Sequence, residues 1–122
     1  MMEADLIAHL LADAGVSALV GTRIYPSLAS QNAAAPYVVL RRVSTVGKRG
    51  TGGPAGLDRA RIQIESYADT YGEAKSLAVA IRTALDGTAI TNIRLSQFET
   101  EHDDFDEAAE LHRTISEFFT WA

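Results

Sequence analysis

The segment Asp58 to Ala68, DRARIQIESYA, sets Ile62, Ile64 and Ser66 in alternation with Arg61, Gln63, Glu65 and Tyr67. A period of two is the signature of a strand. Directly behind it Thr70 stands three residues ahead of Glu73, a capping box that opens a helix, and Gly87 closes that helix. The spacing predicts a buried helical face of Ala74, Leu77, Ala78, Ile81 and Leu85, while Ala80 and Ala84 let the helix lie close to a sheet. A strand that passes straight into an amphipathic helix confines the chain to folds in which helices cover a sheet.

The remaining elements fit that frame. PYVVLRRVS, from Pro36, is rich in β-branched and aromatic residues and reads as a strand that pairs antiparallel with 58–68. Leu6, Ile7, Leu10, Leu11 and Ala14 share one face of a helix over residues 3–14, with Gly15 as its C-terminal cap. VSALVGTRIYPS reads as a short helical turn closed by Gly21, then a brief extended piece to Pro26. After the second main helix, NIRLSQFETE and LHRTISEFFTW form two more strands, joined by HDDFDEAAE as a polar connection. The predicted fold is α+β: a mainly antiparallel sheet of about four strands, two helices packed on one face and a long hairpin arm. At 122 residues the chain accommodates a single domain, 1–122, and its longest apolar runs fall well short of a membrane span. The N-terminus, with acidic residues before and within its apolar positions, does not read as a signal peptide.

The arm contains VGKRGTGGPAG, a composition that suggests a phosphate-binding loop. Its context excludes that reading: a strand follows where a helix N-terminus must receive the anion, Pro54 interrupts the pattern, and Arg49 stands where a Walker loop needs Ser or Thr. The stretch is read instead as a mobile hairpin tip, with Lys48 and Arg49 either solvated or folded onto a partner.

Catalytic groupings are sparse. Cysteine is absent, which removes disulfides, thiolate metal sites and cysteine nucleophiles. His9, His102 and His112 have no metal-binding spacing, and Asp103 to Glu110 lacks the glycine and terminal glutamate of an EF-hand loop. No metal or cofactor is expected. A net charge of -5 argues against a protein that wraps nucleic acid across its whole surface. The final strand has large apolar side chains on both faces. If Thr114, Ser116 and Phe118 meet the helices, then Ile115, Phe119 and Trp121 are left exposed as an interface in an oligomer.

EADLIAHLLADAGVSALVGTRIYPS, APYVVLRRVS, RARIQIESYADTYGEAKSLAVAIRTALDG and HRTISEFFTWA, taken in this order, resemble the tail-terminator or tail-completion (head-to-tail joining) proteins of long-tailed phages, prophages and gene transfer agents. The stretch TAITNIRLSQ is short for that family and leaves the register of the third strand open. The resemblance implies a non-enzymatic virion protein, assembled in the host cytoplasm into a ring, typically a hexamer. The ring caps the tail tube, ends its polymerisation and joins the tail to the head-side connector or stopper protein. DNA would cross the lumen without sequence-specific binding, and an acidic lining of Asp103, Asp104, Asp106 and Glu107 would repel its phosphates. Lys48, Arg49, Ile115, Phe119 and Trp121 are the expected subunit or partner contacts. A small adaptor or regulatory domain and a small enzyme are the competing readings.

Overall fold

A computed structural model describes residues 2–27, 34–50, 53–90 and 93–121. The chain opens with α1 (Met2–Ala12) and α2 (Ala14–Val20), followed by the short strand β1 (Ile24–Pro26). The long strands β2 (Tyr37–Gly50) and β3 (Gly53–Ala68) form the arm, and α3 (Tyr71–Leu85) follows. Then come β4 (Thr88–Ile90), β5 (Ile93–Asp106) and β6 (Leu111–Trp121). Among the described residues the sheet has six strands in the order β1-β2-β3-β6-β5-β4, so the last strand lies near the middle. All neighbours are antiparallel except β1 and β2, which run parallel.

The α+β class is as expected, and so is the mainly antiparallel sheet, with six strands and three helices in place of four and two. The predicted single helix over 3–14 is interrupted at Asp13, whose carboxylate accepts the Val16 N–H at 3.0 Å and caps a second helix. Gly15 therefore lies inside α2 rather than capping α1. The break also turns Leu11 and Ala14 outward, and Val16 and Val20 enter the core in their place. On α3 the expected cap holds: Thr70 Oγ1 accepts the Glu73 N–H at 3.2 Å, and Gly87 takes a φ of 67° just past the helix end. All five residues predicted for its buried face are buried.

One core joins Leu6 and Leu10 of α1, Val16 and Val20 of α2 and Leu77, Ile81 and Leu85 of α3 to Val38, Leu40, Ile62, Ile64 and Phe118 of the sheet. The three helices thus cover one face only. Ser66, Thr114, Ser116 and Thr120 are also buried, and their parity along β3 and β6 puts them on this same face. Small side chains here let a helix approach the sheet closely.

Candidate functional site

The other face carries the side chains that the helices leave uncovered. Strand alternation places Tyr37, Val39 and Arg41 of β2 there, beside Arg61, Gln63, Glu65 and Tyr67 of β3. The matching positions on β6 are Arg113, Ile115, Glu117, Phe119 and Trp121.

Glu65 is the centre of this face and is only 3 % exposed. A buried carboxylate requires compensation by charge and hydrogen bonds, and Glu65 has both. Arg41 Nη2 donates to its two oxygens at 3.3 and 3.1 Å, Gln63 Nε2 donates at 2.9 Å and the Tyr67 hydroxyl donates at 2.9 Å. Arg113 approaches at 3.8 Å, donates to the Tyr67 hydroxyl at 3.3 Å and pairs closely with Asp104. Burial works against the Arg113 charge, but the hydrogen bonds to Asp104 and Tyr67 outweigh it and hold the guanidinium above its ordinary pKa. The same Arg113 contact, with the Phe105 backbone N–H, lowers the Asp104 pKa.

Aromatic rings close the face on one side of this network. Tyr37 stacks on Tyr67 with centroids 4.7 Å apart, and Tyr25 meets Tyr37 edge-on at 6.1 Å. Burial raises the Tyr37 phenol, reinforced by the Asp106 and Glu65 carboxylates. Burial likewise raises the Tyr67 phenol; its contact with Arg113 opposes the shift and its contact with Glu65 adds to it. On the other side Arg61 bridges Glu99 and Glu117 at 3.2 and 3.1 Å. Phe119 sits between the guanidinium groups of Arg59 and Arg61, 4.6 and 4.8 Å from its ring centre, and Trp121 lies 6.1 Å from it.

The expected site residues separate. Phe119 and Trp121 are half-buried on the uncovered face, but Ile115 is 8 % exposed, contrary to the exposure expected of it. Its cross-strand neighbours are Glu65 and His102, with Arg113 and Glu117 beside it along β6. Long polar side chains of this kind cover apolar surface with their stems. Lys48 and Arg49 lie on the backbone of the arm, whose pairing extends to Arg49↔Pro54 and Gly50↔Gly53, well beyond the strands predicted at 36–44 and 58–68. Its tip at 51–52 is outside the described residues.

The acidic segment is not the connection expected. β5 runs through to Asp106, and only 107–110 form the turn. Alternation then divides the carboxylates. Asp103 points to the helix side, where Lys75 and Tyr71 donate to it at 3.2 and 3.1 Å; Asp104 points to the uncovered side. Burial opposes ionisation of Asp103, but hydrogen bonds from Lys75, Tyr71 and Thr114 outweigh it and lower its pKa. Asp106 accepts the N–H groups of Ala108 and Ala109, tying down the turn, and Glu107 is exposed in that turn. The register left open for the third strand is set by β6, with a shift between Phe98 and Thr100.

The Glu65 network escaped sequence reading, although an acidic residue within a strand flanked by Gln63 and Tyr67 was a trace of it. Among the described residues no group of three or more His, Asp or Glu side chains could hold a metal. His9 bonds to the Ala84 carbonyl at 3.0 Å, while His112 packs against Phe105 at 5.1 Å. A cleft of about 480 Å³ lies on the helix side, between Leu19, Pro36 and the start of α3.

The fold is organised around a broad sheet face with charged and aromatic side chains. The profile of the Tail completion protein gp17 family matches residues 4–122, and the chain belongs to that family, as its sequence resemblance implied. It is also similar to a chain in the virion of a native gene transfer agent (GTA) particle. That match has a TM-score of 0.78 and 25% identity, and covers 98% of this chain and 92% of the other. A search of curated proteins finds no match.

Proposed function

We propose that this protein is a structural component of a phage or gene transfer agent tail. It assembles in the host cytoplasm as a ring, hexameric in the family reading, that caps the tail tube, ends its growth and joins the tail to the head-side connector. The family match over 4–122 carries this reading, and the similarity to a chain of a gene transfer agent virion supports it. Phe119 and Trp121, half-buried and set among arginines, have the composition of an interface anchor. DNA passes through the lumen without base recognition. The end of the β5–β6 hairpin, with Asp104, Asp106 and Glu107, is the surface assigned to the channel, because like charge keeps phosphate from adhering.

Phe119→Asp tests the reading. A carboxylate in an apolar contact must be desolvated or protonated at every interface of the ring. The variant is expected to keep its circular dichroism and lose its assembly, and particles made with it are expected to have overlong tails without heads. Normal particles made from a monomeric variant would overturn the function.

A further inference from the structure

Arg41, Arg61 and Arg113 on the uncovered face already have carboxylate partners: Glu65 for Arg41, Glu99 and Glu117 for Arg61, Asp104 and Glu65 for Arg113. Arg59 differs. Among the described residues no carboxylate pairs with it, and its guanidinium lies over the Phe119 ring. A ring face attracts a cation without cancelling its charge. Cross-strand pairing sets Val46, Arg59, Trp121 and Leu95 in one rank across four strands, with Phe119 in the next rank. Val46 and Leu95 are both exposed. The rank is an apolar strip with one unneutralised cation inside it.

A complementary surface lies on the helix side. The cleft there is lined by Leu19, Pro36 and Leu77, together with Glu73 from the first turn of α3. Leu19 and Glu73 are exposed, and among the described residues no cation pairs with the Glu73 carboxylate. Strip and cleft occupy opposite faces and opposite ends of the sheet. Pro36 directly precedes Tyr37, whose partner Tyr67 is eight residues, or about 27 Å, along β3 from Arg59. The two surfaces cannot meet within one molecule, and one copy can use both at once. Two strips face to face would set Arg59 against Arg59, and two clefts Glu73 against Glu73. Symmetric dimers are therefore disfavoured, and a heterologous contact, the kind that closes into a ring, is favoured.

We infer that the strip of one copy docks on the cleft of the next, with Arg59 taking the Glu73 carboxylate while Val46, Leu95 and Trp121 cover Leu19 and Pro36. A guanidinium suits this role because it is weakly hydrated and enters a partly apolar contact at little cost. The charge pair decides which surfaces meet, and the apolar area around it excludes water. The inference rests on the ring reading and supplies the surface that Phe119 and Trp121 face in it. The end of the β5–β6 hairpin is left free.

Charge exchange tests it. Arg59→Glu alone and Glu73→Arg alone are each expected to weaken self-association roughly tenfold. The double variant, in which every contact has the pair reversed, is expected to return to within about threefold of wild type. Glu73→Arg also opposes the dipole of α3, so circular dichroism and the urea midpoint are read for each variant. Arg59→Lys gives a second readout that needs no stable assembly. A carbodiimide joins an amine to a carboxylate in direct contact, and in a mixture of ordinary and isotope-labelled chains position 59 is expected to be linked to Glu73 of another copy. Where the double variant does not fold, this cross-link decides. A folded double variant as weak as the single ones, or a position 59 never linked to Glu73 of another copy, would overturn the contact. If Phe119→Asp abolishes assembly while both single reversals assemble like wild type, the ring reading stands and only the contact between Arg59 and Glu73 fails.

Discussion

Phe118 and Phe119 are neighbours on β6 and face opposite sides of the sheet. Phe118 has no solvent exposure; it belongs to the core under the helices and meets Phe98 edge-on at 5.6 Å. Phe119 is half-buried, held between Arg59 and Arg61. The helix-covered face excludes water mainly with apolar side chains, interspersed with small buried hydroxyls such as Ser66 and Ser116. The uncovered face is closed by long polar side chains that must satisfy one another, as Glu65 does with Arg41, Gln63 and Tyr67. One sheet thus has one face closed by helices and another closed by its own polar side chains, and the two phenylalanines mark the division.

The sharpest way to break that contrast is to truncate both rings. Phe118→Ala is expected to cost about 3 to 5 kcal/mol, from lost burial and an unfilled cavity. Phe119→Ala should cost about 1 kcal/mol or less, from weakened cation–π contacts. Urea unfolding midpoints at unchanged slope check both, and equal losses would erase the distinction between the faces. Next in size is Glu65→Ala. It takes the acceptor from the Gln63 amide and the Tyr67 hydroxyl, and the cost is set at about 2 kcal/mol because Arg113 keeps Asp104 and Arg41, with its side chain 43% exposed, can turn to water.

The smallest effect tests the helix side. Lys75 on α3 pairs with Glu101 and Asp103 of β5 at 2.8 and 3.2 Å. Because the Asp103 pKa is lowered in the folded state, its contribution is present above the ordinary carboxylate value of about 4 and is lost as pH falls through the lower folded value. The Lys75 pKa is raised, first by its bond to Glu101, so its contribution is lost only as pH rises through a value above the ordinary ammonium range. Lys75→Met should cost roughly 0.5 kcal/mol at pH 7 and flatten the acid limb of stability against pH. An unchanged acid limb would mean that these exposed pairs contribute nothing.

What could be read beforehand was local. The Thr70 cap, the alternation of Ile62 and Ile64 and the buried stripe of α3 each depend on residues a few positions apart, and each is present. What could not be read depends on distant partners. Glu101, His102 and Asp103 have little strand propensity of their own, yet β5 continues through them because β6 pairs alongside and Lys75, far away in sequence, neutralises two of the charges. Asp13 was counted within a helix because its role as a cap appears only once the chain turns there. Ile115 was expected in water because nothing in its own strand announces Glu65 and His102 as neighbours. Of the candidate contact face, the aromatic end at Phe119 and Trp121 was legible from β6 alone, while the Glu65 network required β2, β3 and β6 together.

The position of β6 also governs the order in which the protein can be made. It is the last of these strands to leave the ribosome, yet it lies between β3 and β5. Until residues 111–121 emerge, the nascent chain holds a β1-β2-β3 half and a β4-β5 half with no strand between them. Phe118, which ties both halves to the helix-covered core, is still to come. Synthesis therefore keeps the two inner edges unpaired until residues 111–121 emerge, and the sheet closes by insertion of β6 between strands already made rather than growing strand by strand.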